Sequence, residues 1–248
     1  MNVPALILAG SRPGGDPFAE QMGVAHKALI EVGGEPMLAR VVAALRTAGC
    51  PRILVSCAPG PVAQLAGELG TEVVAPASGP SGSVLGALDV AGTPLLVTTA
   101  DHALLRPEWV RQLIDGASPE SDVAIMLAER HTVQAALPGS RRTYLRFADG
   151  HWSGCNLFLL RGPPARVAVT EWTRVEADRK RPWRIVARLG PGLLLRYLAG
   201  RLTLASALDR LGRRIGCRIA LVPAADGLAA VDVDKPADLA DVQRLIGR

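Results

Sequence analysis

The chain is short of several things, and each shortage closes off a class of protein. Phe, Trp and Tyr make up 4% of 248 residues while 49% are hydrophobic, so any core must be aliphatic and alanine-rich. No 18-residue apolar stretch is free of charge, which argues against a membrane-spanning helix. The opening MNVPALILAG lacks a basic leader region and a small-residue cleavage site, and it reads as a first buried strand instead of a signal peptide. Cys50, Cys57, Cys155 and Cys217 are scattered and form no CxxC or Cys/His cluster. A disulfide framework or structural zinc is therefore not expected, and a reducing cytoplasm fits. Neither GxxxxGK[ST] nor GxGxxG occurs, which disfavours kinases and P-loop ATPases. Lysine is scarce too: 25 arginines stand against Lys27, Lys180 and Lys235. Such a drift looks like coding bias, and it makes the three lysines worth inspecting, because an ammonium differs from a guanidinium in hydration and shape.

What is present is an alternation of strand and helix. Apolar runs at 5–8, 52–57, 71–75, 94–99 and 122–127 are separated by helical periodicities at 37–48, 61–69, 82–91 and 107–114. Continuous apolar strands in this rhythm imply a three-layer α/β fold, a mostly parallel sheet with helices on both faces. Ligands in such sheets bind beyond the carboxyl ends of the strands, which directs attention to the loops 9–27, 76–82 and 100–105. TYLRFAD (143–149) and GCNLFLL (154–160) read as added, antiparallel strands, and CRIALV (217–222) as a late strand. One domain over 1–248 is expected, with a helical insertion at about 161–214. Residues 161–218 hold 14 Arg and Lys against 4 Asp and Glu, a charge that suits either acidic partners or a solvated arginine face.

Three stretches carry chemistry. The first strand opens into Leu8, Ala9, Gly10 and Ser11, where backbone N–H groups can approach a triphosphate. Arg12 can clamp phosphate oxygens, and Lys27 returns a point charge to the same mouth unless it is an ordinary surface lysine. The second is LLVTTADHALL (95–105), whose strand delivers Asp101 to the sheet edge. There a carboxylate can hold Mg²⁺ or cap the following turn, and His102 reads as a packing residue. The third is VDVDKPADL (231–239), where Asp232 and Asp234 alternate on a strand and so share one face. Metal binding and a helix N-cap at Asp234 are both readings of that pair.

In their order, LILAG, HKALIEVGGEPML, the strand-borne Asp101 and VDVDKPADL resemble the MobA-like nucleotidyltransferases, which have a glycosyltransferase-A type fold. The resemblance covers residues 5–128 and 217–246. It implies transfer of a nucleotidyl group from a nucleoside triphosphate to a small phosphorylated acceptor, with release of pyrophosphate and no nucleic acid. It assigns Gly10, Arg12 and Lys27 to the triphosphate, and Asp101 with Asp232 or Asp234 to Mg²⁺. Gly79, Ser81, Gly82 and Ser83 in PASGPSGSVLGAL would frame base and ribose, and Asn156 and Lys180 would face the acceptor. HKALIEVGGEPML is nearer the cytidylyltransferases than the guanylyltransferase, so CTP is favoured over GTP. The pattern also departs from the family: Arg12 lies two residues past Gly10 instead of about four, and Ala103 stands where a proline is common. The rivals are a nucleotide-sugar-dependent glycosyltransferase and a non-catalytic nucleotide-binding protein at a membrane. The insertion's leucines and arginines fit helices packed on the domain or a peripheral contact with anionic lipid.

Overall fold

The computed structural model describes residues 2–11, 14–177 and 191–247. They form two compact units, one of residues 1–111 with 231–248 and one of residues 112–230.

The first unit is built on β1 (Ala5–Leu8), α1 (Pro17–Gln21), the short β2 (Glu31–Val32) and β3 (Glu35–Pro36), α2 (Met37–Ala48), β4 (Ile53–Ser56), α3 (Pro61–Glu68), β5 (Glu72–Val74), α4 (Pro80–Ala91) and β6 (Leu95–Thr99). Its main strands run parallel in the order β6-β1-β4-β5. Ala5, Leu6, Ile7, Leu95 and Leu96 are wholly buried, as expected of strands covered on both sides. The chain steps from β1 through α2 to β4 and through α3 to β5, then returns through α4 to the other side of β1. Right-handed crossovers therefore place α2 and α3 on one face and α4 on the other. The reversal leaves a switch point between β1 and β6, where such sheets bind ligands.

Helix α2 shows why the periodicity was legible. Met37, Leu38, Val41, Val42 and Leu45 form its buried stripe, and the helix ends at Gly49, whose left-handed φ of 95° returns its N–H to the carbonyls of Leu45 and Arg46. The region 9–27 differs from the expected long loop, because α1 forms inside it. Asp16 accepts the Phe18 N–H at 3.0 Å, and Pro17 occupies the first turn, where its missing donor costs nothing. The apolar run that follows, ALIEV (28–32), is divided between two elements. Lys27–Leu29 make a 3₁₀ turn, and β2 and β3 pair antiparallel around Gly33-Gly34, both at positive φ as a two-residue hairpin turn requires.

The second unit holds β7 (Val123–Glu129), α6 (Arg130–Ala136), β8 (Leu145–Phe147), β9 (Gly150–Leu160), α7 (Ala165–Ala177), helices Pro191–Leu198 and Leu204–Ile215, and β10 (Ile219–Pro223). Strand β9 is antiparallel to both β7 and β8, while β10 is parallel to β7. The described part of the insertion is helical. Leu193 and Leu202 are buried there, with Phe147, Leu194, Tyr197 and Ala207 packed around them. Helix α5 (Pro107–Gly116) carries the chain from the first unit into the second.

Residues 231–234 do not form the expected strand. The alternation survives in burial, with Val231 and Val233 buried, Asp232 half-buried and Asp234 exposed, and Val233 donates its N–H to the Asp101 carbonyl. Nor does Asp234 cap the helix that follows. Lys235 is the N-cap of Pro236–Ile246, and Asp238 in the first turn reaches back to accept the Asp234 N–H at 3.1 Å.

Candidate active site

The site grows out of the ends of β1 and β6. The ladder continues past both strands: Ala100 donates to the Leu8 carbonyl at 3.0 Å, and Ala9 to the Ser56 carbonyl at 2.9 Å. Ala9 is buried, whereas Gly10 and Ser11 are exposed. No protein atom lies within 4 Å of where a Cβ on Gly10 would stand, so its backbone faces open space. Asp101, two residues past β6, is buried. Its carbonyl accepts the Val233 N–H at 3.0 Å, which brings the Asp234 segment alongside.

Lys27 joins these pieces. Its Nζ donates to Oδ2 of Asp101 and, at 2.8 Å, to Oδ1 of Asp234. Burial works against the ammonium, but the charges of Asp101 and Asp234 and their hydrogen bonds outweigh it and raise the lysine pKa above 10.5. Lys27 is therefore a cation at any ordinary pH. The other oxygen of Asp101, Oδ1, is buried without a hydrogen-bond partner. A buried carboxylate oxygen left in this way calls for a cation or donor from a ligand.

His26 belongs to the same construction, although its lone position in the sequence gave no sign of it. It is buried, its Nδ1 accepts the Ala28 N–H at 3.0 Å, and it thereby caps the turn that carries Lys27. Burial lowers its pKa below 6.5, against a hydrogen bond to the Gly10 backbone that raises it. An imidazole that accepts at Nδ1 must be neutral. Arg40 of α2 is a second residue the sequence did not single out. It bonds the Ala103 carbonyl at 3.1 Å and that of Val32 at 3.3 Å, which ties the turn after Asp101 to the hairpin.

The first turn of α4 holds two residues that shape the segment before it. Ser83 Oγ accepts the Ala77 N–H at 3.0 Å and donates to the Gly79 carbonyl at 3.2 Å. A Cβ on Gly82 would stand 2.8 Å from the Cβ of Ala77. Ser81 is buried, and Gly79 is the N-cap residue of α4. His102 is buried and stacks on Trp109 with ring centroids 5.8 Å apart, a packing arrangement. In the second unit Asn156 takes a left-handed φ of 49° where the β7–β9 register shifts, an irregularity of the kind that re-aims a side chain. Its neighbour Cys155 is buried, and burial pushes that thiol up to about 12, so it is no nucleophile. Asp232 is not one of the two carboxylates on Lys27. Arg12 and Lys180 lie outside the described residues.

A parallel α/β sheet that gathers a glycine turn, a half-buried lysine and two aspartates at its switch point places charge where such sheets bind their ligands. The chain belongs to the MobA-like NTP transferase family, whose model matches residues 5–189, and the protein is a nucleotidyltransferase. It is 32% identical to a hypothetical transferase from Thermus thermophilus, over 96% of this chain and all of that one, with a TM-score of 0.79. The fold is shared at 16% identity with a CMP:2-keto-3-deoxy-manno-octonic acid synthetase complexed with CTP, over 100% of this chain and 99% of that one, with a TM-score of 0.62. It is shared at 18% identity with a 2-C-methyl-D-erythritol 4-phosphate cytidylyltransferase from Thermus thermophilus, over all of both chains, with a TM-score of 0.54. No curated protein sequence matches the chain.

Proposed function

We propose that the protein transfers a nucleoside monophosphate from CTP, with GTP as the alternative donor, to a small phosphorylated acceptor. The observation that carries this reading is the Lys27 ammonium held between Asp101 and Asp234 at the β1/β6 switch point. An acceptor phosphate oxygen attacks the α-phosphorus in line, a new P–O bond forms, and the bond to the bridging oxygen breaks to release pyrophosphate. Charge builds on the non-bridging and leaving oxygens, so the protein's work is positioning and electrostatics. Backbone N–H groups at Gly10 and Ser11 approach the phosphates, and Lys27 and Arg12 neutralise the departing pyrophosphate. Gly79, Ser81, Gly82 and Ser83 frame base and ribose, while Asn156 and Lys180 face the acceptor.

The residues fit a Mg²⁺ ion. Among the described residues no group of three or more His, Cys, Asp or Glu is placed to hold a metal. Mg²⁺ does not need one, since it is commonly bound by one or two carboxylates together with substrate phosphates and water. Asp101, with its unpartnered Oδ1, and Asp234 would hold it, with Asp232 as the other candidate. When bound, Mg²⁺ would neutralise the triphosphate and polarise its oxygens.

The test is a pyrophosphate-release screen of four NTPs against a panel of phosphomonoesters. Release that needs both CTP and one acceptor supports the reading. Turnover of a nucleotide sugar without pyrophosphate favours the glycosyltransferase, and nucleotide binding without any turnover favours a non-catalytic protein.

A specific observation also supports peripheral contact with an anionic membrane. Leu195 and Leu198 are 67% and 68% exposed on one side of helix Pro191–Leu198, with the exposed Arg196 and Arg201 beside them. Among the described residues no helix is long and apolar enough to cross a membrane, so the contact proposed is with its surface.

A further inference from the structure

The two carboxylates assigned to the divalent cation have a counter-ion from the chain itself. Lys27 Nζ donates to both Asp101 and Asp234, and its side chain is only 20% exposed. A divalent cation that approached both carboxylates would meet an ammonium in contact with the same two groups. Two positive charges at that separation repel, and the low exposure weakens screening by water. Mg²⁺ also parts from its own water reluctantly, so a site that offers two oxygens already in use competes poorly for it.

For the cation to take both carboxylates, Lys27 must release them. A half-buried ammonium stripped of its partners is costly unless another anion receives it. A triphosphate is such an anion, and His26, the residue before Lys27, is hydrogen-bonded to the Gly10 backbone, where the phosphates would arrive. The nucleotide therefore supplies what the bare site lacks: new counter-charge for the lysine and more oxygens for the metal. The buried Oδ1 of Asp101, without a hydrogen-bond partner, is an oxygen the cation can take once the lysine has moved away.

On the reading of the site given above, we infer that Lys27 is a built-in counter-ion lock that keeps divalent metal off Asp101 and Asp234 until nucleotide draws the lysine away. Metal and nucleotide then load together.

Mn²⁺ is the probe, and its binding to nucleotide-free protein is counted by electron paramagnetic resonance of the free ion. Wild type should bind Mn²⁺ weakly, and Lys27→Met should bind it tenfold or more tightly because the competing charge is gone. Lys27→Arg keeps a cation there and should stay weak. Asp101→Asn added to Lys27→Met should abolish the gain, which locates the new site. Wild type binding bare Mn²⁺ as tightly as Lys27→Met overturns the lock, as does a gain that survives loss of Asp101. If Lys27→Met does not fold by circular dichroism, Lys27→Gln takes its place under the same criteria. Calorimetry of wild type with CTP and Mg²⁺ stands apart: no binding there defeats the nucleotide reading, while the Mn²⁺ comparison still decides the lock.

Discussion

The Val233 N–H donates to the Asp101 carbonyl at 3.0 Å, across 132 positions of sequence. One backbone bond therefore sets the register between the turn after β6 and the extended segment before the last helix. Shifting that segment by one residue would turn Val233 outward and carry Asp234 away from Lys27, because extended side chains alternate in direction. Wholly buried Val233 supplies the packing that holds the register.

Substitutions at the charged centre should uncouple turnover from folding. Lys27→Ala and Asp101→Ala each remove charge from a site sheltered from water and should lower turnover on the order of 10²–10³-fold. Both residues lie beyond the strand ends and not in the aliphatic core, so the thermal transition should remain. Steady-state pyrophosphate release beside a calorimetric melt checks this. Near-wild-type turnover in both variants, or a loss that follows a lost transition, counts against the assignment.

The first turn of α4 offers a steric test. An added methyl at Gly82 meets the Ala77 Cβ at 2.8 Å, closer than two carbons can sit, and neither atom is the end of a flexible chain. Gly82→Ala should cost about 1–3 kcal/mol, the usual range for overpacking, and should weaken CTP binding as the loop shifts. Ser83→Ala leaves the Ala77 N–H without its acceptor and should cost about 1 kcal/mol. Urea denaturation and nucleotide titration measure the two effects; unchanged stability in Gly82→Ala would mean that the loop yields freely.

His26 predicts a pH dependence of stability. Its pKa in the folded protein lies below 6.5, chiefly through burial. The unfolded chain therefore binds the proton more readily, and the contribution of His26 is fully present above pH 6.5 and lost as pH falls through the folded-state pKa. Protonation would also turn Nδ1 from acceptor to donor, facing the Ala28 N–H. His26→Asn retains an acceptor for that N–H but does not titrate. The variant's stability should fall less steeply than wild type below pH 6.5, the difference being at most about 1.4 kcal/mol per pH unit for one proton. Parallel profiles from urea denaturation would remove His26 as the cause.

Much of the fold was readable because long elements repeat one physical signal. Helix α2 and strand β6 show it: a buried stripe at helical spacing ended by Gly49, and an unbroken apolar run ended by Asp101. Short elements were harder, although α1 announced itself in Asp16-Pro17 and the hairpin in Gly33-Gly34. The Asp232/Asp234 alternation survives in the burial of Val231 and Val233, yet a strand needs a paired neighbour, and residues 231–234 are not paired as one. Lys27, Asp101 and Asp234 were named from the order of motifs. That one ammonium joins them is tertiary information, since 207 residues separate Lys27 from Asp234. His26 and Arg40 act through backbone groups brought to them by folding, and a lone histidine or a helical arginine carries no pattern that says so.

The insertion's two readings make opposite predictions, and the described helices divide between them. Leu193 and Leu202 are buried, as helices packed on the unit require, while Leu195 and Leu198 point outward beside Arg196 and Arg201. Residues 183–190, part of the same amphipathic pattern, lie outside the described residues. Two partly inserted leucines give modest apolar attraction, and each arginine near an anionic surface adds about 1 kcal/mol. Neither source holds the protein on a membrane alone, so binding should need both. Sedimentation should therefore pellet the protein with phosphatidylglycerol vesicles at low salt and not with phosphatidylcholine vesicles. High salt should release it, because exposed charges are screened within about 10 Å at 0.1 M. Leu195→Asp with Leu198→Asp should abolish pelleting while leaving the melt unchanged, since both side chains already face water. Protein that stays in the supernatant with anionic vesicles at low salt rules out the membrane contact. Sedimentation velocity of the same variant would then show whether the two leucines meet a second copy of the chain instead.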